Sequence, residues 1–297
     1  MLRVLLIFFL ILPSWAWAQT ISFTFDDGMD PGAHLQARAW NDKLLAALAA
    51  ADVKAMLFPA GKIVASAEGM RLVEDWGKHG HAIGNHTYAH KSLGSSTTSL
   101  ENFTADVLLA EEMFKNLPGW TSRLRFPFLK EGDTQVKRDG MRLWMVERAY
   151  LPAPVSIDTS DWYYNNRFAA WRNAHPAADP ERFRDAYLEH LRDRANYYER
   201  LARSVLGRSP KHVMLLHTNQ LNATFFPEVV ALFRRAGWTI VSPLEAFADP
   251  LYRETPAVLP AGESIIWALA KQANYPGLRY PAENDVYEEP LLRARGF

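Results

Sequence analysis

Residues 21–28 read ISFTFDDG: Ile21, Phe23 and Phe25 alternate with Ser22 and Thr24, and the run ends in adjacent aspartates, Asp26 and Asp27, before a glycine. Alternation with a period of two predicts a β-strand. Like charges at its end need a reason, because adjacent carboxylates repel and a partly buried pair must find a cation or share a proton. Aspartate and glycine also form turns, but a turn does not require both charges. The pair points to chemistry at the end of a strand.

The segment before this strand reads as an export signal. Arg3 is followed by apolar residues from Val4 to Leu12, then Pro13, then Ala16-Trp17-Ala18, in the order charged region, short apolar region, small-residue cleavage site. The apolar run falls well short of the roughly 20 residues that span a bilayer. Residues 1–18 are therefore expected to be removed, with the mature chain starting at Gln19, secreted or periplasmic and without a membrane span.

The 297 residues contain no cysteine, so an exported form must draw its stability from a hydrophobic core rather than disulfides. A composition that is 48% hydrophobic with ten tryptophans fits one large α/β domain with an appendage, or two domains. With 33 basic and 33 acidic residues, no bulk field argues for nucleic acid or an anionic membrane as partner. Aromatic content is compatible with sugar stacking and equally with core packing. The three Asn-X-Ser/Thr triplets at Asn85, Asn102 and Asn222 are expected by chance.

Apolar runs predict strands at Ile21–Phe25, Ala55–Phe58, His81–Ile83, Leu124–Phe126, Val155–Ile157, Val213–Leu216 and Thr239–Val241, with helical stretches between them. The clearest helix runs from Pro180 to Leu206, where Phe183, Tyr187, Leu191, Tyr198, Leu201 and Val205 recur at helical spacing before Gly207. Repeated β-then-α order implies a parallel sheet, open or closed into a barrel. In both, sites form beyond the carboxyl ends of the strands.

That rule selects residues. The strand ends carry Asp26 and Asp27; NHTYAH with His86 and His90; RFPF with Arg125; DTSDW with Asp158, Asp161 and Trp162; and LLHTN with His217. His86 and His90 are four apart, so on a helical turn their imidazoles would share a face and could chelate one divalent ion. A capped or core histidine is the commoner explanation of such a spacing, but a nearby carboxylate changes the balance. Two histidines and an aspartate, with water in the open position, make a catalytic zinc site. One aspartate of the pair can then ligate the metal while the other stays free to take a proton.

TFDDG at 24–28, HTYAH at 86–90, RFPF at 125–128, DTSDW at 158–162 and LLH at 215–217 resemble, in order, the five motifs of the polysaccharide deacetylases, the NodB-homology group of carbohydrate esterase family four. The resemblance covers roughly 21–241 and implies a distorted (β/α) barrel of about seven strands and metal-dependent removal of acetyl groups from sugars. By position, it implies Asp27, His86 and His90 as metal ligands, Asp26 as general base, Arg125 as the group that holds and tunes Asp26, and His217 as general acid paired with Asp161. Trp162 and Leu215 would wall the acetyl pocket, and the backbone N–H of Phe128 would assist the metal at the carbonyl oxygen. Zinc is the expected metal, with cobalt, nickel or iron compatible with the same ligands.

The sequence departs from the pattern after RFPF, where Leu129, Lys130 and Glu131 replace the usual glycine, and after TFDDG, where Met29 and Asp30 precede Pro31. Asp30 is read as a turn residue. His34, His79, His81, His175, His190 and His212 match no motif and are read as surface or structural. The expected organisation is a signal at 1–18, a catalytic domain at 19–248 with a long excursion at 163–208, and an extension at 249–297 packed on the barrel. The expected substrate is an acetylated polysaccharide or amino-sugar polymer. An O-acetyl esterase of the xylan type and a non-catalytic carbohydrate-binding protein are the alternatives; retention of both Asp26 and His217 argues against the second.

Overall fold

A computed structural model describes residues 19–279 and 285–297, so the signal expected at 1–18 lies outside the described residues. Strands, in chain order, are β1 (Thr20–Asp27), β2 (Met56–Pro59), β3 (Ala82–Asn85), β4 (Trp120–Leu124), β5 (Lys130–Gly132), β6 (Leu151–Pro152), β7 (Lys211–His217), β8 (Thr239–Ile240) and β9 (Ala261–Gly262). Helices are α1 (Ala37–Ala50), α2 (Ala67–Lys78), α3 (Leu100–Phe114), α4 (Gln135–Glu147), α5 (Asp161–Ala174), α6 (Glu181–Leu206), α7 (Gln220–Arg235), α8 (Pro243–Ala246), α9 (Ile265–Gln272) and α10 (Asp285–Ala294).

Seven strands form one parallel sheet, six of them in the order β6-β4-β3-β2-β1-β7 and the seventh, β8, paired with β1. β7 runs along one edge of β1; β8 at Thr20–Ile21 and β2 at Thr24–Asp27 share the other. The sheet curls into a distorted (β/α) barrel. Its open edges are brought together by one segment: Leu151–Pro152 pairs with β4, and Ile157, five residues on, bridges to Met214 of β7. The apolar run at 155–157 therefore makes a single bridge rather than the expected strand, and the pairing moves upstream to β6. The fourth strand likewise ends at Leu124, so Arg125 stands just beyond it. β5 and β9 form a separate antiparallel pair of two or three residues per strand, too short to leave a periodic signal.

β1 explains the barrel. Phe23 and Phe25 meet Phe226 and Phe233 of α7 and Trp76 of α2 in ring contacts of 5.3–5.8 Å, whereas Ser22 and Thr24 donate to the carbonyls of His212 and Met214. Successive side chains thus alternate between the helix layer and the inter-strand polar network. Both sets are buried, which suits a central parallel strand covered on both faces. Serine, threonine and asparagine caps start α2, α3, α4 and α7, satisfying free N–H groups in their first turns. The long amphipathic helix α6 ends at Gly207 in a left-handed conformation (φ 70°), a position glycine fills without strain.

The last part of the chain touches both the strands and the excursion. Ser264 Oγ donates to the Ser156 carbonyl, Ile265 N to that of Val155, Tyr164 and Arg279 donate to Glu288, and the Phe297 ring packs 4.7 Å from Phe183. Among the described residues no helix is long and apolar enough to cross a membrane.

Candidate metal centre and active site

The carboxyl ends of β1, β3, β4 and β7 converge. Asp27 Oδ1 lies 3.6 Å from His86 Nε2 and 3.3 Å from His90 Nε2, and all three ligand atoms fall within 4.8 Å of one another. Asp27 Oδ1 is buried with no hydrogen-bond partner, an atom that needs a cation or a proton. His86 Nδ1 lies 2.8 Å from the Arg125 carbonyl; donating there leaves Nε2 with its lone pair toward Asp27, the arrangement metal-bound histidines use. Burial, His90 and Arg125 keep His86 well below the usual histidine range, and burial lowers His90 despite Asp27. Neutral imidazoles are the ligating form. These residues fit a divalent ion.

The histidines are not on a helical turn as their spacing suggested. Residues 86–90 form an irregular loop in which Thr87 and His90 have positive φ (62° and 52°). Thr87 Oγ1 accepts from His90 N, and Asp106 accepts from Ala89 N. Asp27 (78°), Phe128 (57°), Leu129 (56°) and Ser160 (49°) also have positive φ. Left-handed backbone at non-glycine residues is costly, and its concentration here marks a site held by its surroundings. Gly28 (φ 82°) adds to it: a Cβ there would stand 2.5 Å from Val64 Cγ1.

Asp26 is buried beside the ligand group, with Oδ2 3.6 Å from His86 Nε2. Arg125 Nη1 contacts both its oxygens at 3.1 and 3.2 Å. The guanidinium is itself fixed: Nε donates to the Ala153 carbonyl at 2.6 Å, Nη2 to Thr24 Oγ1 at 3.1 Å, and the group lies 4.5 Å over the Phe58 ring. Burial outweighs Arg125, and the Asp26 carboxyl is pushed up to about 6. Arg125 acts in the expected direction, favouring the ionised carboxylate, but is outweighed by desolvation.

His217 is in register with Asp26 across the β1–β7 ladder. Its Nδ1 lies 2.6 Å from Asp161 Oδ1, and its backbone N donates to Asp161 Oδ2 at 2.8 Å. Asp161, the first residue of α5, also accepts from Asn219 and Asn222 Nδ2 at 3.1 and 2.6 Å. Burial disfavours the imidazolium, but Asp161, with Asp27 and Asp26, overrides it and pushes His217 up to about 10. Asn219 and Asn222 were missed in the sequence; the glycosylation-like triplet at Asn222 was the one visible signal.

Phe128 is exposed, with its ring 4.7 Å from that of His90. Leu215 is buried in an apolar cluster with Leu129 and Val155, while Trp162 is 38% exposed. Trp162 lines a cleft of about 610 Å³ that begins at Asp27 and His217 and continues between α5 and the β1–α1 segment. A second cavity, mostly apolar and about 290 Å³, lies between α4 and residues 252–268 and includes none of the candidate ligand, base or acid residues. Asp158 is buried and pushed up to about 6 by desolvation and the charge of Glu263, and its Oδ2 has no partner; it is not part of the ligand group. His81, His190 and His212 are buried in structural hydrogen bonds, whereas His34 reaches the cleft.

Residues 17–143 match the family model described as polysaccharide deacetylase. The chain is 29% identical over 144 residues to a peptidoglycan-N-acetylglucosamine deacetylase of Bacillus cereus, a match spanning 48% of this chain and 46%, less than half, of that relative. Its fold is similar to that of the structure described as T48 deacetylase with substrate (TM-score 0.52, 20% identity, 78% of this chain and 92% of that one). It is also similar to a mutant of a family four carbohydrate esterase pseudoenzyme (TM-score 0.54, 15% identity, 77% and 67%).

Proposed function

We propose that the chain is a polysaccharide deacetylase, as the family match over residues 17–143 and the Bacillus cereus relative support, and that it is a metal-dependent hydrolase that removes N-acetyl groups from an acetylated, amino-sugar polysaccharide outside the cytoplasm. The observation that carries this reading is the meeting of Asp27, His86 and His90 around an unpartnered carboxylate oxygen, beside a buried Asp26 and a histidine in register with it. Asp27, His86 and His90 would hold one divalent ion, zinc by expectation. When bound, such an ion polarises a carbonyl and makes water acidic enough to attack at neutral pH.

The chain's own residues do the rest. Asp26, ionised above about pH 6, takes the proton of the attacking water as its oxygen bonds to the acetamide carbon. Arg125 holds the carboxylate in place through its contacts to both oxygens. His217, protonated up to about pH 10, gives its proton to the nitrogen as the C–N bond breaks, so that acetate and a free amine leave. The backbone N–H of Phe128 is assigned to the developing oxyanion. Leu215, in its apolar cluster, is assigned to the acetyl methyl, and Trp162 to the sugar at the cleft mouth.

A strongly held imidazolium favours the amide over the ester reading, because an amine must be protonated to leave and an alkoxide needs this less. The Bacillus cereus relative named above supports an N-acetylated glycan as the substrate class. The pseudoenzyme neighbour makes turnover the point to test. The experiment is acetate release from chitin oligomers, peptidoglycan, an N-acetylated exopolysaccharide and acetylated xylan by zinc-reconstituted protein. Release from an N-acetylated glycan is expected; release from xylan alone, or from none of them, would contradict the reading.

A further inference from the structure

Helix α5 has two faces. Asp161, Tyr164, Phe168 and Trp171 recur at helical spacing and are buried. Trp162, Asn166, Ala169 and Asn173 recur at the same spacing on another face, and all four line the cleft beyond His217. The opposite wall belongs to the β1–α1 segment, where the His34 ring packs 5.3 Å from that of Trp40 and both line the cleft. Asp30, whose Oδ1 accepts from Gly32 N, lines it as well, so the turn residue is also a cleft residue.

The amides of the region divide sharply. Asn165 accepts from Leu221 N, and Asn219 and Asn222 hold Asp161; those three are committed to the fold. Among the described residues, no hydrogen bond engages the side chains of Asn166 and Asn173. Free amides beside aromatic faces suit a pyranose, whose hydroxyls and acetamide need donors and acceptors while its C–H faces pack on rings. The cleft volume of about 610 Å³ lies within the roughly 300–1,000 Å³ of small-molecule sites, more space than an acetamido group fills. Asp27 and His217 at its inner end belong to the reacting centre; beyond them the lining carries Asp30 and, among the described residues, no lysine or arginine, which disfavours an anionic sugar there.

We propose that the cleft between α5 and the β1–α1 segment is a sugar subsite that binds a second, uncharged N-acetylhexosamine unit of the polymer, held by Asn166, Asn173 and the rings of Trp40 and His34. It rests on the reading of the metal centre as a glycan deacetylase. The subsite lies on the first helix of the 163–208 excursion, which gives that excursion a role in choosing substrate length.

The test uses β-1,4-linked N-acetylglucosamine oligomers of one to five units, with Ala169→Trp, which fills the cleft, and Asn166→Ala combined with Asn173→Ala, which empties its amides. In the zinc-loaded wild type, kcat/KM for acetate release is expected to rise with length. In the folded variants the tetramer-to-monomer ratio should fall about tenfold, the worth of one or two net hydrogen bonds. A ratio equal to that of the wild type in every folded variant would overturn the subsite. If the wild type releases no acetate from any oligomer, the deacetylase reading fails, and calorimetry with the tetramer judges the subsite separately. Weakened binding in the variants upholds it; wild-type-like binding in every folded variant, or no binding by the wild type, overturns it.

Discussion

His217 Nδ1 lies 2.6 Å from Asp161 Oδ1, while the other oxygen of that carboxylate accepts from the His217 backbone and from Asn219 and Asn222. The imidazole is thus fixed at one nitrogen by a fully buried anion, which leaves Nε2 for chemistry. Burial works against the charged ring, but Asp161 holds it protonated up to about 10. An acid must be protonated to act, so on the proposed mechanism this value sets an alkaline limb. Asp161→Asn removes the charge and should move that limb of the kcat–pH profile down by at least one unit. An unmoved limb would detach Asp161 from the acid.

On the proposed mechanism the acid limb belongs to Asp26. Its carboxyl is pushed up to about 6 by burial, against the pull of Arg125. A base must be deprotonated, so activity should rise through about pH 6, or below it where a bound cation favours the carboxylate further. Arg125→Gln removes the guanidinium and should shift this limb to higher pH while lowering kcat. A pH profile of the folded variant, matched in metal content to the wild type, decides it.

The roles of base and acid separate by leaving group. Asp26→Asn should keep the metal and lose about 100-fold or more in turnover on every substrate, the usual size of general base catalysis. His217→Ala should lose less on an activated acetyl ester, whose leaving group needs no proton, than on an N-acetyl sugar. Equal losses in folded, metal-loaded protein would return His217 to a positioning role.

Asn222 joins three parts of the site: its amide donates to Asp161 and to the His217 carbonyl and accepts from Tyr187. Asn222→Ala leaves a buried hydroxyl and a buried carboxylate short of partners and should cost about 1–3 kcal/mol. Urea unfolding of the metal-free protein reads this directly; an unchanged midpoint would show that the network relaxes around the loss.

Much of the site was legible because β/α order places side chains by rule: a polar residue at the carboxyl end of an apolar run faces the barrel mouth. Asp26, Asp27, Arg125 and His217 follow that rule. His86 and His90 were found through a spacing whose stated geometry, a helical turn, is not the one the loop adopts; the rings meet because Thr87 and His90 take left-handed backbone. Leu151–Pro152 was missed as a strand because a two-residue pairing has no period to detect. The roles of Asn219, Asn222, Asn166 and Asn173 were hidden for a related reason: amides at a helix start or on an exposed face look alike in sequence, and only the fold separates those that brace Asp161 from those whose side chains are left to the cleft.

On the proposed mechanism Asp27, His86 and His90 hold the one ion on which deacetylation depends. The most direct measurement of this is acetate release from N-acetylglucosamine oligomers as metal-stripped protein is titrated with zinc, alongside His86→Ala combined with His90→Ala. Activity that is absent at first, rises to a break at one equivalent, and never appears in the folded double variant is the predicted result. Full activity in the stripped protein, or stoichiometric zinc binding by the double variant like that of the wild type, would contradict it.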